Sequence, residues 1–307
     1  MRLVPWRGPV EHLFFHTLVI HPRLAFAHDQ LGQGLRDYFV TVGEFRAILE
    51  QLYRNRRTLV DIHRAVAGRV RVPRGRRPVV ISEDDVNYYD YSRGRGLGWR
   101  LVLDRNGAVR VDDHYGGRVR VTGEDLVPIV DDFVARHPDF SAAGAKGVLA
   151  VTGYEGILGE RVNDPAAPGW RARFLRARAL AARLRATGWT FANHSYGHDD
   201  PVGLSAEEVR RDSLRWIAET VPIIGRTDVY VYPFGSQPAP GSPQVQALRA
   251  LGFTIQCGID VVPRLVTAAG VTLMSRRHID GIAFADQPRA LRPFFDVATV
   301  ENRAARR

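Results

Sequence analysis

The sequence of 307 residues predicts an α/β fold, a single distorted (β/α) barrel with about seven strands. Short apolar, β-branched runs alternate with amphipathic helical segments, the pattern of a parallel sheet covered by helices. Polar residues follow the ends of several of these runs, as in barrels whose functional groups lie at the carboxyl ends of the strands. We therefore expect one domain spanning residues 1–307, with a core at about 12–281 and a C-terminal tail at 282–307.

The elements of the first half follow from local signals. A strand is predicted at about 12–20, and a helix begins at the capping box formed by Thr41 and Glu44. Strands are predicted at 58–62 and 77–82, where β-branched residues are dense. The segment 99–121 then changes character, because Asp104-Arg105-Asn106-Gly107 is typical of a hairpin turn between alternating segments. We expect a β-hairpin insertion there.

The second half continues the alternation of helices and strands. It is predicted to contain a helix at 124–136, a strand at 146–152, a helix at 168–186, a strand before His194, a helix starting at the capping box of Ser205 and Glu208, a strand ending at Pro233, a helix at 244–251, and strands at 253–259 and 270–275. These strands complete the count that the barrel requires.

Two histidines four residues apart, His194 and His198, follow one of the predicted strands. A chain that turns directly after a strand brings both imidazoles to one point, where they can bind a divalent ion. Gly197 is expected to permit the tight turn. His12 and His16 have the same spacing but lie within a strand, where four residues at about 3.3 Å each separate them by roughly 13 Å. His12 and His16 therefore cannot share an ion, whereas His194 and His198 predict a metal site.

Three carboxylates, Glu83, Asp84 and Asp85, end the apolar run of residues 78–82. Their mutual repulsion is unfavourable unless solvent or a cation compensates it. Other Asp-Asp pairs occur in the chain, but only this one ends a strand with the composition of a fully buried one. We expect this cluster to supply the remaining metal ligand, although a solvated acidic turn is the alternative.

These motifs together resemble the polysaccharide deacetylases, carbohydrate esterase family 4, also called the NodB homology domain. The family signature is a strand ending in Asp-Asp, here Asp84-Asp85, followed by His-Ser/Thr-x-x-His, here residues 194–198. A strand leading into a Pro-aromatic-Gly turn matches residues 229–235, and residues 13–18 resemble the opening strand of several members. The matches run from about residue 12 to about 281 in the order of the family.

The resemblance implies a metal-dependent hydrolase that removes N-acetyl groups from an N-acetylated glycan such as peptidoglycan, chitin or poly-N-acetylglucosamine. It implies a divalent cation, Zn²⁺ before Co²⁺, Mn²⁺ or Ni²⁺, held by Asp85, His194 and His198. Asp84 would be the general base, and a backbone N–H at Phe234 would help to stabilise the oxyanion. His278 would be the general acid for the departing amine.

Three positions depart from the family pattern. Glu83 stands where many members carry an aromatic residue, and an acid there could perturb its neighbours. Val231 and Tyr232 replace the frequent Arg-Pro, so the arginine expected to hold the catalytic aspartate must come from elsewhere. The late hydrophobic-x-His motif is matched only loosely by residues 274–279, which include His278.

Two other classes of function stay open at this stage. A carbohydrate-binding relative without catalysis could retain the barrel, and a barrel glycosidase could use Glu83 or Asp84 as one of two carboxylates. The His-Ser-x-x-His segment has no role in the glycosidase scheme. Zinc content and acetate release would separate a deacetylase from both alternatives.

Composition limits the partners. The net charge is +10, from 43 basic and 33 acidic residues, but Lys146 is the only lysine, and such an arginine bias is typical of coding composition. No nucleic-acid signature is present, and no apolar run approaches the 18 to 20 residues of a membrane span. We therefore expect no nucleic-acid partner and no membrane span.

A single cysteine, Cys257, excludes an internal disulfide and is expected to be a small buried hydrophobe.

The N-terminus has basic residues, an apolar stretch and a cleavage-like Ala25-Phe26-Ala27. His16, His21, Pro22 and Arg23 interrupt that apolar stretch, so it is not assigned as a signal peptide. The substrate class alone favours the cell envelope or secretion. The sequence indicates no oligomeric state.

Overall fold

The computed structural model describes residues 2–306. Its strands are β1 (Leu3–Pro5), β2 (Glu11–His16), β3 (Arg57–Leu59), β4 (Arg71–Pro73), β5 (Arg77–Asp84), β6 (Arg100–Leu103), β7 (Val109–Tyr115), β8 (Arg118–Thr122), β9 (Gly147–Val151), β10 (Trp189–Asn193), β11 (Val229–Val231), β12 (Ile255–Ile259), β13 (Leu265–Ala268) and β14 (Val271–His278). Its helices are α1 (Pro22–Ala25), α2 (Gln30–Tyr38), α3 (Val42–Arg54), α4 (Ile62–Val66), α5 (Leu126–Arg136), α6 (Trp170–Ala186), α7 (Ala206–Ile224), α8 (Pro243–Ala250), α9 (Gly281–Asp286), α10 (Pro288–Leu291), α11 (Val297–Val300) and α12 (Arg303–Arg306).

Seven parallel strands close into a barrel in the order β2, β5, β9, β10, β11, β12, β14 and back to β2. The prediction of a distorted (β/α) barrel with about seven strands is therefore confirmed. The distortion is concentrated in β14, which pairs with β12 over Thr272 to Arg276 and with β2 only through Arg277 and His278. Because β14 changes its partner from β12 to β2, its end lies beside the carboxyl ends of β2 and β5.

Alternate residues of each strand face the barrel interior or the surrounding helices. The interior is packed mainly with small apolar side chains, including Val80, Val148, Ala150, Val231 and Cys257. Burial raises the pKa of Cys257 to about 12, so its thiol stays protonated and the residue acts as the small hydrophobe that the sequence predicts. The outer faces of the strands pack against the helices in a second, larger apolar cluster.

Both predicted capping boxes are present at helix starts, at Thr41 with Glu44 and at Ser205 with Glu208. Other boundaries differ from the prediction. The strand expected at 58–62 ends at Leu59, because Asp61 caps the next helix by accepting from the backbone N–H of Arg64. The β13 strand, antiparallel to β14, is not predicted.

The insertion after β5 lies where the hairpin is predicted, at 99–121, but it has three strands instead of two. It is a three-stranded antiparallel sheet of β6, β7 and β8. The turn itself lies where the sequence places it, since Asp104 Oδ1 accepts from the backbone N–H groups of Asn106 and Ala108. Gly107 has φ of 72°, the left-handed conformation that such a turn requires.

The sequence predicts a tail at 282–307; of this segment, residues 282–306 are helical over much of their length and pack against α3. Phe294 and Phe295 are fully buried in the outer apolar cluster. Arg306 forms a bidentate ion pair with the buried carboxylate of Glu44, with N–O distances of 2.8 Å. Within residues 2–306, no helix is both long enough and apolar enough to cross a membrane.

Candidate metal and active site

The carboxyl ends of five barrel strands surround one cavity of about 470 Å³. Asp84 ends β5 and Asp85 follows it, while His194 follows β10 directly. His278 ends β14, and His16 ends β2. His198 and Phe234, from the loops after β10 and β11, line the same cavity. The strand order thus brings all six residues predicted as site residues to one place.

Asp85, His194 and His198 form the most compact part of this cavity. The Nε2 atoms of His194 and His198 lie 3.8 and 3.6 Å from Asp85 Oδ1. One ligand atom from each residue lies within 4.8 Å of the other two, and no second such group occurs among residues 2–306. Two imidazole nitrogens and a carboxylate oxygen are a donor set that suits zinc and similar divalent cations.

The orientation of His194 also fits a metal ligand. Its Nδ1 lies 2.8 Å from the carbonyl oxygen of Val231 and donates a hydrogen bond to it, which leaves the Nε2 lone pair free. Burial lowers the pKa of His194, although the carboxylates of Asp84 and Asp85 oppose this effect. The imidazole is therefore neutral, the form that binds a cation.

The loop between the two histidines is held by Asp212 of α7. Its carboxylate accepts from Ser195 Oγ at 3.1 Å and from the backbone N–H groups of Tyr196 and Gly197 at 2.9 to 3.0 Å. The expectation that Gly197 makes the turn is wrong. Ser195 and His198 take the left-handed conformation instead, with φ of 62° and 57°, while Gly197 does not. The carboxylate of Asp212 stabilises this strained turn by its three hydrogen bonds.

Backbone strain is concentrated around the cavity. Nine non-glycine residues of the described chain have positive φ, and four of them are Asp85, Ser195, His198 and Phe234. Such conformations cost of order 1–3 kcal/mol each and persist only where the surrounding structure enforces them. Their clustering at one cavity is typical of a functional site.

The missing motif arginine is replaced by Arg276 of β14. Its Nη1 donates to Asp84 Oδ1 at 2.7 Å, and its guanidinium is fully buried over the ring of Phe14. Burial, the largest single effect, would raise the pKa of Asp84, but the charge and hydrogen bond of Arg276, with smaller contributions from His194 and His16, together lower the pKa to about 2. Asp84 is therefore ionised at neutral pH. Arg276 lies two residues before His278, in the segment 274–279, where only the histidine is predicted from the sequence as a site residue.

His12 lies below this pair, inside the barrel. Its Nε2 is 3.0 Å from Ser82 Oγ, which also accepts from Arg276 at 3.3 Å. Burial, with the charge of Arg276, holds the pKa of His12 well below its usual range, so the ring is neutral. His12 does not line the cavity, whereas His16 does.

Glu83 points away from the cavity, toward the helices, because successive side chains of β5 alternate between faces. The side chain is fully buried, and neither carboxylate oxygen has a hydrogen-bond partner among residues 2–306. Burial, with the nearby charges of Asp125 and Asp84, raises the pKa of Glu83 well above its usual range. It therefore holds a proton and adds no negative charge beside Asp84, contrary to the expected perturbation.

Phe234, His278 and His16 also line the cavity, beside the three candidate metal-binding residues. Phe234 takes φ of 56° in the Pro233–Gly235 turn, and its ring contacts His198 edge to face at 4.5 Å. His278 has both ring nitrogens in hydrogen-bond range, Nδ1 at 2.9 Å from Asp280 Oδ2 and Nε2 at 2.8 Å from the side-chain amide of Gln287. His16 is bonded through Nδ1 to the carbonyl of Tyr38, and its Nε2 lies 4.0 Å from Asp85 Oδ2.

Tyr89 was not identified from the sequence. Its hydroxyl donates to Asp85 Oδ1 at 2.7 Å and lies 3.0 Å from Thr152 Oγ1, so it fixes the proposed carboxylate ligand. The only signal is the run Asn87-Tyr88-Tyr89-Asp90-Tyr91 directly after the acidic cluster. Nothing in that run tells which of its tyrosines reaches the carboxylate.

Solved structures with a similar fold are deacetylases. The deacetylase PplD from Streptococcus pyogenes, solved in complex with acetate, superposes with a TM-score of 0.53 at 15% identity, covering 89% of this chain and 93% of that one. A de-N-acetylase from Aggregatibacter actinomycetemcomitans gives a TM-score of 0.55 at 14% identity, covering 94% of this chain and 100% of that one. This chain has the fold of the polysaccharide deacetylases. IcaB from Ammonifex degensii also shares it, with a TM-score of 0.51 at 14% identity and coverage of 94% and 97%. No protein-family model and no curated protein sequence matches the chain.

Proposed function

We propose that the protein is a metal-dependent hydrolase that removes N-acetyl groups from an N-acetylated sugar polymer and releases acetate. One observation carries the proposal: ligand atoms of Asp85, His194 and His198 meet within 4.8 Å in the cavity that also contains the ionised carboxylate of Asp84. Polymers of the peptidoglycan, chitin or poly-N-acetylglucosamine type are the substrates that the fold and these residues favour.

The cation would be held by Asp85, His194 and His198, with Zn²⁺ favoured and Co²⁺, Mn²⁺ or Ni²⁺ as substitutes. When bound, it supplies Lewis acidity that acidifies water and polarises the acetamide carbonyl. Tyr89 and the carbonyl of Val231 hold Asp85 and His194 in the orientation that binding requires.

Asp84 would take the proton from the attacking water. A carboxylate with a pKa of about 2 is a weak base, so Arg276 secures its ionised form and the water must be made acidic by other means. The water oxygen bonds to the carbonyl carbon, the bond between that carbon and the amide nitrogen breaks, and acetate leaves. The backbone N–H of Phe234 would donate to the developing oxyanion.

The departing amine needs a proton, and His278 is the proposed donor. Asp280 accepts from its Nδ1, which fixes the orientation of the ring. Its Nε2, now beside the amide of Gln287, would donate to the leaving nitrogen.

His278→Ala is expected to lower turnover of an N-acetyl sugar far more than turnover of an activated aryl acetate ester, whose leaving group hardly needs a proton. Steady-state rates on the two substrates test this. Equal losses on both would instead assign His278 to packing, and His16, at the end of the neighbouring strand β2, would become the candidate acid.

Metal analysis of the purified protein, combined with an acetate assay on several N-acetylated glycans, tests the function as a whole. About one zinc per chain and acetate release that is lost with a chelator and restored by zinc are expected. A metal-free protein that binds glycans without releasing acetate would be a carbohydrate-binding relative. In the glycosidase alternative Glu83 cannot take part, because it does not line the cavity, and Asp84 would have to act with another carboxylate.

A further inference from the structure

We propose that Tyr91 forms a sugar-stacking subsite beside the metal centre, so that the preferred substrate contains at least two linked pyranose rings. The inference rests on the proposed function, since it assumes that the cavity binds a glycan. It adds a residue and a minimum substrate length to that proposal.

Tyr91 is the outer member of a stack of three tyrosines. Tyr89 stacks on Tyr91 with ring centroids 5.6 Å apart and an interplanar angle of 23°, and on Tyr154 at 5.1 Å and 18°. Tyr91 lines the same cavity as Asp84 and Asp85, yet its side chain is 51% exposed. Because Tyr89 covers one side of Tyr91, the stack presents a supported aromatic surface to the cavity.

The stack is fixed relative to the catalytic groups. Tyr89 is almost fully buried, and its hydroxyl donates to Asp85 Oδ1 at 2.7 Å. The next residue, Asp90, is held by Arg161 through Nη2 at 2.7 Å, and Ser92 Oγ donates to the carbonyl of Tyr89 at 2.8 Å. A ligand that stacks on Tyr91 therefore meets a surface already ordered, which lowers the entropic cost of binding.

The chemistry of this surface fits a sugar ring. The face of an aromatic ring carries partial negative charge, which attracts weakly positive C–H groups such as those on one face of a pyranose. Tyr91 stacks on Tyr89, whose hydroxyl is the one that donates to Asp85, so a sugar ring on the free face of Tyr91 is displaced from the proposed metal ligands. The stacked ring is accordingly a neighbour of the sugar whose acetamide reacts.

Binding is measured in an Asp84→Asn background, which is designed to prevent turnover, with the N-acetylglucosamine tetrasaccharide and the monosaccharide as ligands. Tyr91→Ala and Tyr91→Leu are expected to weaken tetrasaccharide binding roughly 3- to 10-fold, and the monosaccharide distinctly less. Tyr91→Phe keeps the aromatic face and should bind like the parent. Tyr115→Ala is the matched control, because Tyr115 is 45% exposed and stacked on His21 but does not line this cavity.

Tetrasaccharide affinity that is unchanged in both Tyr91→Ala and Tyr91→Leu would overturn the subsite, as would equal losses for the tetrasaccharide and the monosaccharide. Acetate release by the parent protein is measured separately. If the parent protein releases acetate but the Tyr91 substitutions do not change glycan binding, only this inference is contradicted. If the parent protein neither binds nor deacetylates any glycan, the proposed function is contradicted as well. Thermal unfolding of each variant identifies losses caused by misfolding, and Tyr91→Leu retains the apolar bulk that packs on Tyr89.

Discussion

His194→Ala and His198→Ala are expected to purify with little zinc and to lose nearly all deacetylase activity. Each change removes one of three protein ligands from a site whose donor atoms lie within 4.8 Å of one another. Zinc bound by two protein ligands and solvent is held far less tightly than zinc bound by three. Metal content per chain after dialysis, and acetate release at saturating glycan, are the two measurements.

The two variants should remain folded, although His194→Ala is expected to cost more stability. His198 is partly exposed, so its removal leaves no deep cavity, whereas His194 is buried and its loss leaves the carbonyl of Val231 without its donor. His28→Ala is the matched control, because His28 is exposed and lies outside the cavity. Full zinc occupancy in both variants, with the control unchanged, would show that the ion is held elsewhere.

The parts of this site that sequence reasoning could reach are those encoded within a few residues. Asp84 and Asp85 end a β-branched run, and His194 and His198 follow another strand. In a closed barrel of parallel strands the carboxyl ends meet at one edge, so these four residues lie together. The capping boxes and the turn at Asp104 are equally local. Each of these features depends on residue type and spacing alone.

The parts that could not be predicted depend on register and on which face a side chain occupies. Arg276 reaches Asp84 across 192 residues of sequence, because β14 leaves β12 and joins β2 near its end. Glu83 and Asp84 are adjacent in sequence, but the pleat of β5 sends one to the helices and the other to the cavity. If the register of β5 were shifted by one residue, Glu83 would face the cavity and Asp84 would face the helices. The sequence alone does not determine that register.

The turn between the histidines shows the same limit at shorter range. Gly197 is the residue that permits left-handed backbone, yet Ser195 and His198 adopt it. Asp212, on the following helix, makes this arrangement favourable by accepting from Ser195, Tyr196 and Gly197. A tertiary hydrogen-bond acceptor thus overrides the local preference of glycine.

Asp84→Asn is expected to lower turnover by roughly 10² to 10⁴ fold while zinc stays bound. The substitution removes the proton acceptor but preserves the shape of the side chain and leaves Asp85, His194 and His198 unchanged. Turnover on a soluble N-acetylated oligosaccharide and zinc content are measured on the same preparation. Loss of zinc in Asp84→Asn together with its retention in Asp85→Asn would show that the roles of the two aspartates are exchanged.

Arg276→Gln separates positioning from proton transfer at the same carboxylate. The pKa of Asp84 is depressed to about 2 by Arg276, so base activity is present above that pH and is lost only as the pH falls through it. Without the guanidinium, burial raises the pKa, and the acid limb of the rate profile should move to higher pH. Removing one partner of a buried ion pair also costs about 3–5 kcal/mol of stability, which urea unfolding at neutral pH would measure. An acid limb at the same pH in Arg276→Gln and in the parent would show that another group sets the ionisation of Asp84.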